Sequence, residues 1–162
     1  MMRNTVLFFT LVLVSLLAGR AFWAWVGENP ARYSGATYVS FYQGLNKAIE
    51  TPIAAIGTAA AIFALASALL NLRDRGTLYL FLWVFACVLV STAITLRVNV
   101  PINEQVATFN PARLPGNWPE LRDRWWHWHL VRAAALLTGM SLSFIAALIR
   151  GGAPQRLHHM PD

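Results

Sequence analysis

The sequence predicts an all-α, membrane-embedded four-helix bundle running up, down, up and down, with two longer loops on one side. Three features of the 162-residue chain point there. It is 57% hydrophobic and 12% charged, with a positive mean hydropathy, which excludes disorder and argues against a soluble domain. Four apolar stretches, 4–26, 52–72, 77–100 and 129–149, each approach the ~20 residues a tilted helix needs to cross ~30 Å of hydrocarbon. The ionisable side chains near them fall at the ends that alternating direction brings to one leaflet.

The first stretch closes on Phe22, Trp23 and Trp25, residues of an interfacial aromatic belt. The basic start at Arg3, with Gly19 and Ala21 as a cleavage site, gives the rival reading of a removed leader. After a long connection, 27–44, Thr51 and Pro52 resemble a cap and first turn of the second helix. A longer helix from about Thr37, kinked near Pro52, fits equally well. A tight turn, 72–77, leads into the third helix. Pro101 is expected to end it, having no amide proton to donate, and Pro111, Pro115 and Gly116 keep the loop 101–118 irregular. Asn117, Trp118, Pro119 and Glu120 read as a helix start with an Asn cap and a returning Glu. The fourth helix then rises above the membrane before entering it, with Trp125 to His129 at the water boundary.

These elements make residues 1–150 one transmembrane domain and 151–162 a disordered cytoplasmic tail. Arg73 and Arg75 occupy the shortest loop, which places both termini in the cytoplasm of a cell (inner) membrane and the polar cluster outside. The net charge of +6 forms no basic groove with interleaved aromatics, so nucleic acid is not a partner. Cys87 is the only cysteine; no disulfide forms within the chain, and chemistry that needs paired thiols is excluded. Cys87 reads as a small buried hydrophobe.

Helical spacing sorts the polar groups into faces. Trp125, Trp128, His129, Arg132, Gly139 and Ser143 share one face of the fourth helix. Thr92, Thr95 and Asn99 share one on the third, and Tyr42, Asn46 and Glu50 one on an early-starting second. Gly139 and Ser143 suit close helix packing. Arg20, Lys47, Arg97 and Arg132 bring four positive charges to the single negative charge of Glu50. Charges inside a membrane are normally paired, so the excess points to an anionic or electron-rich ligand, with Asn46, Asn99, Asn103 and Trp125 as further contacts. Arginines that snorkel to headgroups are the plainer reading. His129, one turn from Arg132 and on the side of Glu50, has the chemistry of a general base; a hydrogen bond to a carbonyl is its plainer role. No spacing motif requires a metal or other cofactor, although His129 with Glu50 leaves haem ligation open.

The run Asn99-Val100-Pro101-Ile102-Asn103, followed by Trp125 and by His129-Leu130-Val131-Arg132, resembles the anthrone oxygenase family. So do the Gly19 region and residues 43–46, and the likeness covers about residues 5–149. The family groups small four-helix membrane proteins, and this chain departs from it at His129, where relatives often carry Asn. The resemblance implies oxidation of anthrones to anthraquinones by molecular oxygen in some relatives, without a defined cofactor. On that pattern His129 or Glu50 removes a proton while Arg97 and Arg132 stabilise the enolate. Two other functions stay open: a non-catalytic membrane protein packed against lipids, partners or its own copies, and a carrier of electrons holding haem or a quinone-like ligand.

Overall fold

The computed structural model describes residues 1–151. Its helices are α1 (Met2–Gly27), α2 (Gly35–Leu69), α3 (Arg75–Ile94), α4 (Val100–Ala107) and α5 (Trp118–Gly151). Four continuous runs of helix are long and apolar enough to cross a membrane. They close into a ring in which α1 touches α2 and α5, and α3 touches α2 and α5. Arg150 Nη2 donates to Asn4 Oδ1 across 3.3 Å, so the start of α1 and the end of α5 lie on one side, as the alternation requires. Apolar side chains such as Phe8, Leu16, Trp83 and Leu148 stay exposed on the outside of the ring. The chain is a multi-pass membrane protein with an all-α four-helix bundle. The tail expected to be disordered lies outside the described residues, apart from Gly151, which ends α5.

Both long loops are shorter than the prolines suggest. α2 begins at Gly35, where Ser34 accepts the Thr37 amide proton at 3.3 Å, and Pro52 sits inside the helix rather than at its start. An interior proline costs about 3 kcal/mol through its lost hydrogen bond and its ring. Burial on the extra turns opposes that cost: Tyr38, Val39 and Tyr42 pack with Ile102, Val106 and Trp125 into a second hydrophobic cluster. What remains of the first connection is residues 28–34, with a 3-10 turn at Pro30–Arg32.

Pro101 likewise does not end the third helix. A π turn over Thr95–Asn99, in which the Val100 amide donates to the Thr95 carbonyl, carries α3 into α4 with the proline in the first turn of α4. The wider turn absorbs a residue that a regular ladder would reject. Gln43 Nε2 donates to the carbonyls of Val106 and Phe109, both at 3.0 Å, and ties the end of α4 to α2. α2 spans about 50 Å and the hydrocarbon about 30 Å, so the surplus of α2, α4 and the start of α5 forms an aromatic cap on one leaflet. Beneath it lies the membrane core around Leu17, Ala64, Phe81, Val84, Ala133 and Leu136.

Within that core α5 passes close to α3 at Gly139, where a Cβ would lie 3.1 Å from Cys87 Cβ. Cys87 itself is half-buried. Gly139→Val is expected to wedge the two helices apart at about 1–3 kcal/mol, the usual overpacking cost, seen as a lowered thermal midpoint in detergent; Gly139→Ala should lower it less.

On the opposite side of the membrane Asp74 caps α3. Thr77 donates to its carboxylate through Oγ1 at 2.6 Å and through the backbone amide at 3.3 Å, and these bonds hold the carboxyl below its ordinary range. Folding therefore favours the charged form: the contribution is present above the ordinary carboxylate pKa and lost as pH falls through the lower, folded-state value. Asp74→Ala is expected to melt earlier than the parent at neutral pH. The two midpoints should converge in strong acid.

Candidate functional site

Where the membrane core meets the cap, a cavity of about 520 Å³ opens between α2 and α3. Eight of the ten residues singled out from the sequence line it: Arg20 from α1, Asn46 and Glu50 from α2, Asn99 and Asn103 from the π turn and α4, and Trp125, His129 and Arg132 from α5. Thr92 and Thr95 line it as well, as their shared face with Asn99 requires. A second cavity of about 410 Å³ adjoins it, with Lys47 and Glu104 in its wall, and Asn46, Glu50, Val100 and Asn103 are common to both. Lys47 therefore belongs to this vestibule rather than to the main chamber. Arg97 joins neither: it is exposed on the far side of the π turn.

His129 is 1% exposed, and both of its nitrogens are engaged. Nδ1 lies 3.0 Å from Arg132 Nη2 and Nε2 lies 3.2 Å from the Ala21 carbonyl oxygen. Arginine offers only donors. The lone pair is thus on Nδ1 and the proton on Nε2, an assignment dictated by the network. The ring lies parallel to the Trp125 and Trp126 indoles, with centroids 5.1 and 5.5 Å away. The base expected from the sequence is thus clasped between an arginine, a helix carbonyl and two aromatic faces.

The other groups are fixed from the cap side. Asn99 Nδ2 donates to the Trp125 carbonyl at 3.2 Å, and Trp125 Nε1 donates to Asn103 Oδ1 at 2.8 Å. Trp125 is buried against Tyr42, whose ring meets it edge-on at 5.2 Å. This indole walls the cavity, whereas Trp23 and Trp25 are exposed in the manner of interfacial anchors.

The charge balance differs from the expected excess of three. Arg20 Nη2 is paired with Glu28 Oε2 at 2.9 Å, and the Glu28 carbonyl accepts from the Tyr42 hydroxyl at 2.8 Å. Glu28 reads from the sequence as a loop charge. It follows α1 directly and no helical spacing links it to Arg20, so only the turn that folds it back reveals the pair. With Arg97 outside and Arg20 paired, Arg132 is the chamber's cation with no carboxylate partner among the described residues. Its bonds go to His129 and, at a longer 3.4 Å, to Thr95 Oγ1.

Four buried side-chain nitrogen or oxygen atoms lack a partner among the described residues, and three are Arg20 Nη1, Asn99 Oδ1 and Arg132 Nε, all on residues of this one chamber. No three His, Cys, Asp or Glu side chains gather into a metal-binding group among the described residues.

A sequence-family model described as anthrone oxygenase matches residues 38–142, more than half of the chain. The matched span holds every chamber residue named above except Arg20. No curated protein and no solved structure matches the chain.

Proposed function

The chain belongs to the anthrone oxygenase family, and on that premise we propose that its chamber binds a flat, oxygen-bearing aromatic molecule and oxidises it with molecular oxygen. The observation that carries this reading is the convergence of two unpartnered donors, on Arg20 and Arg132, and one unpartnered acceptor, on Asn99, within one cavity. Leaving such buried atoms unpaired costs about 1–3 kcal/mol each. A hydroxyaryl ketone offers the complementary set, a carbonyl oxygen for the guanidinium groups and a hydroxyl for Asn99. Apolar walls and a few converging polar groups in about 520 Å³ are the usual make-up of a small-molecule site.

The chemistry follows from which groups are free. His129 has no vacant nitrogen, so its role is to hold Arg132 in place. Glu50, in the wall between chamber and vestibule, has no ion-pair partner among the described residues and takes the proton from the acidic ring CH2. Arg132 stabilises the enolate oxygen by fixed charge. The enolate carbon reduces oxygen to give a hydroperoxide, and loss of water leaves the new ketone, so that CH2 and O2 become C=O and H2O.

Oxygen uptake by the protein in nanodiscs, with a dihydroxyanthrone as substrate and empty nanodiscs as background, tests this. Glu50→Gln is expected to lower the rate by about 10²–10⁴-fold, the range for loss of a general base. Uptake no faster than in empty nanodiscs, with the anthrone shown to bind, would remove the oxidation and keep the binding. The same reading places the termini on the cytoplasmic side of the cell membrane, because Arg73 and Arg75 occupy the shortest loop. An impermeant thiol reagent applied to whole cells should then fail to label a cysteine placed at Arg73.

A further inference from the structure

The chamber is much longer than its polar end. Its lining on α2 runs from Tyr42 to Ile62, about 30 Å of helix at ~1.5 Å per residue, far more than a three-ring molecule needs. Every charged lining residue lies at the cap end. Beyond Glu50 the α2 side continues as Ile53, Ala54, Gly57, Ala61 and Ile62, with Thr58 as its one polar residue. The small residues make the room: a Cβ built on Gly57 would meet nothing within 4 Å. Three lining residues at the rim, Ile62 on α2, Leu89 on α3 and Leu96 in the π turn, are also among the exposed apolar side chains. The cavity is therefore a slot open along its length toward the bilayer, polar at the top and apolar below.

We propose that the ligand is an amphiphile that enters sideways between α2 and α3, its oxygenated aromatic head at Arg132 and Asn99 and an alkyl or isoprenoid tail lying in the slot past Gly57. This rests on the preceding reading of the head site and adds the tail. Asn99, 2% exposed with its Oδ1 unpartnered, marks the end that must meet a polar group. Below it, among the described residues, the slot's only hydrogen-bonding side chains are threonine and serine hydroxyls. Of these, Thr58, Thr92 and Thr95 already donate to carbonyls in their own helices. A tail gains little by leaving lipid for this slot, since both are apolar. Its part is to orient the molecule and bring it in from the membrane.

The test uses the full-length protein in nanodiscs and three probes: 1,8-dihydroxyanthraquinone, the same ring system with an alkyl chain ending in a diazirine, and the alkyl diazirine without the ring. Saturable quenching of tryptophan fluorescence by the untailed anthraquinone reports the head site. Photolysis and peptide mapping locate the tail. Labelling of Ile62 and Leu89 is expected to exceed that by the ringless diazirine by about tenfold, to be displaced by the untailed anthraquinone, and to move off these residues in Gly57→Leu, whose added side chain fills the slot. If the untailed compound binds but the tailed probe labels the slot no more than the ringless one, ordinary lipid chains occupy it and the tail is refuted while the head site stands. If the untailed compound does not quench at all, the head site fails and takes the tail with it. Slot labelling unaltered in Gly57→Leu also overturns the proposal.

Discussion

Arg132→Ala is expected to abolish anthrone-dependent oxygen uptake, a fall of at least about 10²-fold, the size of effect seen when one fixed donor is removed from a developing oxyanion. It is the chamber cation with no carboxylate partner among the described residues; Nη2 lies against His129, Nη1 donates to Thr95, and Nε has no protein partner among them. Arg132→Lys should recover little, because the three donors of an ammonium group radiate from one atom and cannot reproduce the planar fork that reaches His129 and Thr95 from separate nitrogens. A modest loss of thermal stability is expected in both variants, since His129 Nδ1 is deprived of its donor. Activity near the parent level in Arg132→Lys would show that charge alone matters and that the planar arrangement does not.

The largest effect on stability is expected at Trp125. Trp125→Ala removes a buried indole that packs edge-on against Tyr42, stacks on His129 and donates to Asn103. The cost should be about 3–5 kcal/mol, the range for deleting a large buried aromatic, read from chemical denaturation in mild detergent. Trp125→Phe keeps a stacking face and loses the Nε1 donor. It should cost about 1 kcal/mol for the hydrogen bond and loosen Asn103 in the wall between the two cavities. A Phe variant as unstable as the Ala variant would mean that the Nε1 hydrogen bond lost in both, and not the ring face that Phe keeps, holds cap and chamber together.

Local spacing carried most of this site. Tyr42, Asn46 and Glu50, then Thr92, Thr95 and Asn99, then Trp125, His129 and Arg132 are three or four residues apart, and each set lines the chamber, as helical spacing predicts, although Asn99 closes a π turn and Trp128, given the same face, stays out of the lining. The same rule argues against Arg97, two residues from Asn99 and so on the other side of the helix. Long-range folding was less legible. Glu28 reaches Arg20 through an irregular turn that no periodicity describes. Pro52 fits either a helix start or an interior position, and the aromatic burial that lengthens α2 selects the interior one; Pro101 reads locally as a break and is overridden by the π turn. For His129 a carbonyl partner is legible as the plainer role, but which carbonyl is not, since Ala21 lies 108 positions away.

The π turn at Thr95–Asn99 puts α3 and α4 out of rotational phase. One residue more or less advances an α-helix by about 100°, so a single deletion between 95 and 99 that restored the ordinary ladder would swing everything after it by that angle. α3 would keep its fit to α5, while Asn103 would turn away from the indole it now holds. The lower bundle and its roof are thus set like two dials on one shaft, and one codon could reset the upper without touching the lower.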